Sequence, residues 1–219
     1  SSGLRRNIRQ CIEDFNIPLK FSHTVTRVVG KDRVEGVYYA QVDENRKPIL
    51  STEKLLECDC LLLSVGLIPE NSLLPESVKR NKFVIVDDER QTSEEGIFIS
   101  GNVLHIHDLA DNATEEGEIA GKFAGLYSQG KLEKFDKVNL SFSKNISYCM
   151  PSLINKKNEG KFTIYMRANA NFLKKNILVK CAGEVIAKKF CIGITTGEMQ
   201  EIEVEYSKVK DDIFVDIEE

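Results

Sequence analysis

The stretch GIFISGNVLHIHDLADNATEEG, residues 96–117, decides how the chain is read. An apolar run, Ile97-Phe98-Ile99-Ser100, stops at Gly101-Asn102. His105, His107 and Asp108 follow, and the next helix is expected to start near Asn112. In open α/β sheets, ligands sit beyond the carboxyl ends of strands. A glycine there lets the backbone come close, and Asn102 offers a sugar hydroxyl both a donor and an acceptor. Asn112 reads as an N-cap with Glu115 as its capping partner. The N–H groups of that helix start would suit an acceptor oxygen or a developing anion. The plain alternative is a tight strand–turn–helix connection, and these residues alone leave both readings open.

Working outward, residues 4–15, LRRNIRQCIEDF, place Leu4, Ile8, Cys11, Ile12 and Phe15 on one helical face. Asn16 and Pro18 end that helix. Three short runs, PLKFSHTVTRVVG, RVEGVYYAQVD and PILSTEKLLEC, predict an antiparallel three-strand unit. Its turns fall at Gly30-Lys31-Asp32 and Asp43-Glu44-Asn45. CDCLLLSVG, residues 58–66, has a continuously apolar centre, the pattern of a strand covered on both faces, and it too ends on glycine. FVIVD, residues 83–87, predicts another strand. A helix over TEEGEIAGKFAGLYS follows, closed by Gly130. Beyond Phe135 the texture changes to VNLSFS, ISYCM, KFTIYMRA, NILVKC, EVIAKKFC, QEIEVEY and DIFVDIE. Seven short alternating runs predict a two-sheet sandwich. The fold class expected is therefore α/β followed by all-β.

The net charge of -4 argues against nucleic acid as a partner, because phosphate binding needs a basic surface. No run of 18 apolar residues exists, so no membrane-spanning helix is expected. The six cysteines are irregularly spaced, which reads as reduced thiols in a cytoplasmic protein rather than a disulfide framework. Cys58-x-Cys60 reads as packing, because redox pairs favour C-x-x-C at a helix start. His105-x-His107 has the ligand types of a metal site, but no third ligand stands at a recognisable spacing, so no metal is expected. The two histidines read as loop residues near a cofactor or in solvent. G-x-S-x-G, the P-loop and G-x-G-x-x-G are all missing, so no dinucleotide diphosphate loop is recognisable.

CDCLLLSVGLIPEN, followed downstream by TSEEGIFISGNVLHIHDLADNATEEGEIAG, resembles the flavin-dependent pyridine-nucleotide oxidoreductases of the thioredoxin-reductase and disulfide-reductase type. The likeness is strongest to bacterial NAD(P)/FAD-dependent oxidoreductases associated with glycerol-phosphate or hydroxy-acid oxidation. It implies partial, nested Rossmann-like domains. Residues 1–68 would be the second half of a nicotinamide-binding domain, 69–136 the returning segment of a FAD-binding domain, and 137–219 a β-sandwich-like C-terminal domain. It implies FAD and NAD(P)H as cofactors. Gly101 and Asn102 would face the ribityl chain, with Asn102 standing where the family has an aspartate. Thr114, Glu115 and Gly117 would form the helix start at the flavin, with Glu115 and Glu116 facing away from the ring. Gly66 and Pro69 would lie beside the nicotinamide cofactor. The catalytic residues stay unassigned. The family's phosphate loops would precede residue 1, which is Ser, so the chain reads as the downstream half of such an enzyme. Its partners would be the missing N-terminal half or a partner subunit, a small-molecule or protein electron acceptor, and a second copy in a homodimer. The fragment alone would be inactive. The competing reading is a non-catalytic remnant that binds a partner protein through its β-sandwich.

Overall fold

The computed structural model describes residues 6–218 and divides into two units, the first ending at Gly66 and the second beginning at Leu67. It is a mixed α and β protein, with two α-helices and eleven strands among the described residues.

In the first unit, α1 spans Arg6–Asp14. The turn after it uses Asn16 at φ +50°, and the Ile17 N–H reaches back to the Ile12 carbonyl at 3.0 Å. Of the expected apolar face, Leu4 and the side chain of Ile8 lie outside the described residues. Ile12 is half-buried, whereas Cys11 is exposed and Phe15 is 77% exposed. The three predicted strands form an antiparallel sheet: β1 (His23–Val29), β2 (Gly36–Gln41) and β3 (Lys54–Glu57), with β2 central. Val37 pairs with Val28 on one side and Leu56 on the other. The β1–β2 turn needs glycine, because Gly30 sits at φ +125° and a Cβ there would lie 1.8 Å from the Arg33 carbonyl oxygen. The β2–β3 connection begins with Asp43, whose Oδ1 accepts from the N–H groups of Asn45 and Lys47.

Residues 58–66 correct the sequence reading. They form no strand, and Leu62 and Val65 are 90% and 86% exposed. An apolar run of this kind holds as a strand only between neighbours on both edges and cover on both faces. The described residues supply neither. The predicted strands at 83–87 and 97–100 are also absent as ladders. Only isolated bridges occur there: Val84 with Arg80, Val86 with Thr92, Asp87 with Leu153 and Phe98 with Gln91. Val84, Val86 and Ile99 are nonetheless buried, in a cluster with Leu104, Tyr148, Met150 and Tyr165. Their apolar character encodes burial in a packed loop rather than strand pairing.

The second helix, α2, spans Ala110–Ser128. It ends as a Schellman turn, with the Gly130 N–H on the Tyr127 carbonyl and the Lys131 N–H on the Leu126 carbonyl, both at 2.9 Å. It starts earlier than expected. Leu109 holds the N-cap position and makes no side-chain cap bond. Asn112 lies inside the first turn, and its amide donates to Glu201 instead.

The seven predicted C-terminal runs become eight strands: β4 (Lys137–Phe142), β5 (Ile146–Met150), β6 (Leu153–Asn155), β7 (Lys161–Ala168), β8 (Phe172–Cys181), β9 (Glu184–Ile194), β10 (Gln200–Glu205) and β11 (Ile213–Ile217). The unforeseen strand is β6, too short to show alternation. A three-stranded sheet runs β10-β7-β5, and a five-stranded sheet runs β6-β4-β11-β8-β9. Inward residues of both sheets, such as Ile164 and Ile202 from one and Ile177, Ile213 and Val215 from the other, form one cluster. In β11 the alternation is plain: Ile213, Val215 and Ile217 are fully buried while Phe214 is 38% exposed. Residues before β4 pack on this region too. The Ser152 and Leu153 N–H groups both donate to the Val86 carbonyl, and Lys137 pairs with Asp87 at 2.7 Å.

Candidate functional site

The opening stretch folds around a buried carboxylate. Glu116, in the second turn of α2, is 0% exposed. Its Oε1 accepts from Arg90 Nε at 2.9 Å and His105 Nε2 at 3.2 Å. Its Oε2 accepts from the Gly101 N–H at 2.7 Å and His107 Nε2 at 2.9 Å. Burial pushes the Glu116 carboxyl up, but the two histidine hydrogen bonds and the Arg90 charge outweigh it and hold it well below the usual carboxylate range. Burial pushes the His105 imidazole down, against the pull of Glu116, so His105 is neutral near pH 7.

Local sequence places each member. Asp87 Oδ1 accepts from the Glu89 and Gln91 N–H groups, which shapes a tight turn. Arg90 closes that turn at φ +69°, a backbone region that non-glycine residues seldom occupy. From there its buried side chain reaches Glu116, and its Nη1 donates to the Asp88 carbonyl at 3.1 Å. Gly101-Asn102-Val103 form a 3-10 turn. Asn102 Oδ1 accepts from the His107 N–H at 3.0 Å and so closes the loop on itself.

A second layer comes from the β region. His105 Nδ1 lies 3.4 Å from the Tyr148 hydroxyl, to which Arg167 Nε donates at 3.1 Å. Arg167 Nη2 also donates to the Ile106 carbonyl at 3.0 Å and to Asp108 Oδ1 at 2.5 Å. Asp108 Oδ2 in turn accepts from the Met199 N–H at 2.7 Å. The Tyr165 ring lies tilted against His105 and edge-on to His107, and burial pushes its hydroxyl up to about 12.

The residues singled out from sequence are distributed as follows. Gly101 and Asn102 form the turn at the carboxylate. Gly117 lies beside it, with a Cβ there 3.9 Å from Ser100 Oγ. Thr114 is exposed and bonds back to the Ala110 carbonyl at 3.1 Å. Glu115 is exposed. Gly66, at φ +87°, ends the first unit, and half-buried Pro69 lies near the start of the second. Glu116 is buried and is the hub of the site. One alternative reading needs correction. The histidines are not solvated, since the His105 and His107 side chains are 0% and 2% exposed. The third potential metal ligand that sequence spacing did not reveal is Glu116, whose oxygen lies within 4.8 Å of both histidine nitrogens. Arg90, Tyr148 and Arg167 went unnoticed because they are distant in sequence. The available signal for Glu116 was its place on the same helical face as Ala120, also buried.

The family model for pyridine nucleotide-disulphide oxidoreductases matches residues 1–117, more than half of the chain, and the chain belongs to that family. Membership implies FAD and NAD(P)H as cofactors. Among known proteins, it is 31% identical over 90 residues to an alkyl hydroperoxide reductase subunit of Staphylococcus aureus, covering 40% of this chain and 17% of that protein. It is 29% identical over 114 residues to thioredoxin reductase of Treponema pallidum, covering 51% of this chain and 35% of that protein. The crystal structure of T. acidophilum thioredoxin reductase superposes with a TM-score of 0.48 at 32% identity, over 57% of this chain and 40% of that one. The chain thus spans well under two thirds of these relatives.

The residues present fit one end of FAD. No heavy atom lies within 4 Å of where a Gly101 Cβ would stand, so the turn's backbone is open to close approach. Asn102 is exposed and commits only its oxygen to the loop, which leaves its amide nitrogen to donate. The sequence contains no glycine loop for the pyrophosphate.

Proposed function

We propose that the chain is the C-terminal portion of an FAD-dependent oxidoreductase that moves a hydride from NAD(P)H to flavin and passes electrons to a further acceptor. The carrying observation is the family match ending at Gly117, with the open Gly101–Asn102 turn inside it. Gly101 and Asn102 would hold the ribityl chain, and Thr114, Glu115 and Gly117 would lie at the helix start. Gly66 and Pro69 would lie by the nicotinamide cofactor. FAD supplies the hydride-accepting chemistry when bound. This chain's part is to offer a fixed turn and the Asn102 amide. The nested-domain division, with a β-sandwich from residue 137, belongs to the same reading.

The chain alone would be inactive, with the pyrophosphate site supplied by an N-terminal half or partner subunit. The exposed Leu62, Leu63 and Val65 support a missing neighbour, since apolar patches of this kind mark contact surfaces. A cytoplasmic homodimer and a small-molecule or protein acceptor complete the proposal. Adding excess FAD to the purified chain, desalting, and recording flavin absorbance tests it. A colourless protein is expected. A stoichiometric yellow protein bleached by NADH would overturn the half-enzyme reading. Phe190 and Ile192, 60% and 75% exposed on β9, favour a second reading, a partner-binding module without catalysis. Flavin absent from the complete protein would support it.

A further inference from the structure

We propose that Glu116 is a positioning residue for the Gly101–Asn102 turn, which it clamps onto α2 through a single buried carboxylate. What the turn binds rests on the flavin reading above; the clamp itself does not. A carboxylate has about four lone-pair sites, and Glu116 fills four, two on each oxygen. The donors come from separate places: the turn at Arg90, the backbone of Gly101, and both histidines of the following loop. The Gly101 N–H matters most, because it belongs to the turn rather than to a neighbouring side chain. His107 extends the hold. Its backbone N–H binds Asn102 Oδ1 at 3.0 Å while its ring returns to Glu116 at 2.9 Å, so the loop is a closed circuit through Asn102. Arg167, through Ile106 and Asp108, braces the same loop from the β region.

The same donor set invites comparison with a metal centre. His105, His107 and Glu116 are zinc-ligand types with their donor atoms within 4.8 Å. Arg90 decides between the two. Its guanidinium already lies on Glu116 Oε1 at 2.9 Å, with both side chains 2% exposed or less. A divalent ion would put two positive centres on one carboxylate in a buried site, which low polarity penalises.

The test uses two variants, Glu116→Gln and the double variant Arg90→Met/Glu116→Leu. Glutamine has one acceptor oxygen, so some of the four donors lose their partner. It also leaves Arg90 without a counter-ion, and that protein could fail to fold. The double variant removes the whole ion pair, a change that buried pairs often tolerate, while still depriving Gly101 of its acceptor. In the full 219-residue chain, Gly101 amide hydrogen exchange should speed up about tenfold in the double variant, the loss of one hydrogen bond, with the Val215 amide in β11 unchanged. In the complete flavoprotein, flavin should dissociate about tenfold faster with a shifted absorption spectrum. Wild-type exchange at Gly101 would overturn the clamp. Faster exchange with unchanged flavin dissociation and spectrum would overturn the positioning role. A complete wild-type protein without flavin would overturn the flavin reading and leave the exchange arm to judge the clamp. Stoichiometric zinc in the purified chain, lost in Glu116→Gln, would replace the clamp with a metal centre.

Discussion

The Gly101 N–H donates to Glu116 Oε2 at 2.7 Å, joining a backbone turn to a helix 15 residues further along the chain. The bond is part-buried and charge-assisted, a class roughly twice as strong as neutral pairs. It makes the turn depend on the ionisation and pairing of one side chain.

Arg90→Met should therefore be far more damaging than loss of a surface cation. It strands the Glu116 anion in a site where both members of the pair are almost fully buried. Breaking such a pair from one side costs about 3–5 kcal/mol. Urea unfolding of the second unit would measure it, and a loss below about 1 kcal/mol would show that the histidines alone satisfy Glu116.

Stability should fall with acid in two stages. The folded-state value of His105 is depressed by burial, so the unfolded chain binds the proton more readily. Its contribution is present above the ordinary value of 6.5 and is lost as pH falls below it. Glu116 is also depressed, so its contribution is present above the ordinary 4.5 and is lost as pH falls further. Melting temperature should drop as pH falls through about 6.5 and again below about pH 4.5. A flat profile across the first range would mean that His105 binds its proton equally well in the folded and unfolded chain.

Arg167→Met should loosen the His–Asp loop from the β region. It leaves the Tyr148 hydroxyl without its arginine donor and Asp108 without its cation. The expected loss is about 1–3 kcal/mol, larger than for Tyr148→Phe. Thermal melts of both variants settle the order, and equal losses would show that Asp108 is held by the Met199 N–H alone.

Gly30→Ala should disrupt the β1–β2 turn. The added Cβ would fall 1.8 Å from a backbone oxygen at a φ that alanine avoids. Amide protection in β1 and β2 should collapse. Retained protection at Val28 and Val37 would mean that the turn has an alternative conformation.

Asn102→Leu should weaken flavin retention in the complete protein. Leucine is close in volume, but it removes the acceptor for the His107 N–H and the amide donor expected to face a hydroxyl. Each lost bond contributes about 0.5–1.5 kcal/mol. Unchanged flavin occupancy after dialysis would reduce Asn102 to a turn residue.

The sequence by itself determined what local physics controls. The antiparallel unit β1-β2-β3 was legible because its alternation and its glycine and Asp-Glu-Asn turns are short-range signals. Most strands of the β region were legible for the same reason. The Gly101–Asn102 turn and the end of α2 at Gly130 were also set by residue types within a few positions. Tertiary structure decided the rest. The apolar runs at 83–87 and 97–100 announced burial and the run at 58–66 did not deliver it, and whether any of them becomes a strand depends on neighbours that the run does not encode. The N-cap of α2 is Leu109 rather than Asn112, and the Asn112 amide donates instead to Glu201, 89 residues away. The hub at Glu116 was hidden for a similar reason. A glutamate in a helix reads as solvated until Arg90, Gly101, His105 and His107 converge on it, and that convergence is a property of the folded chain.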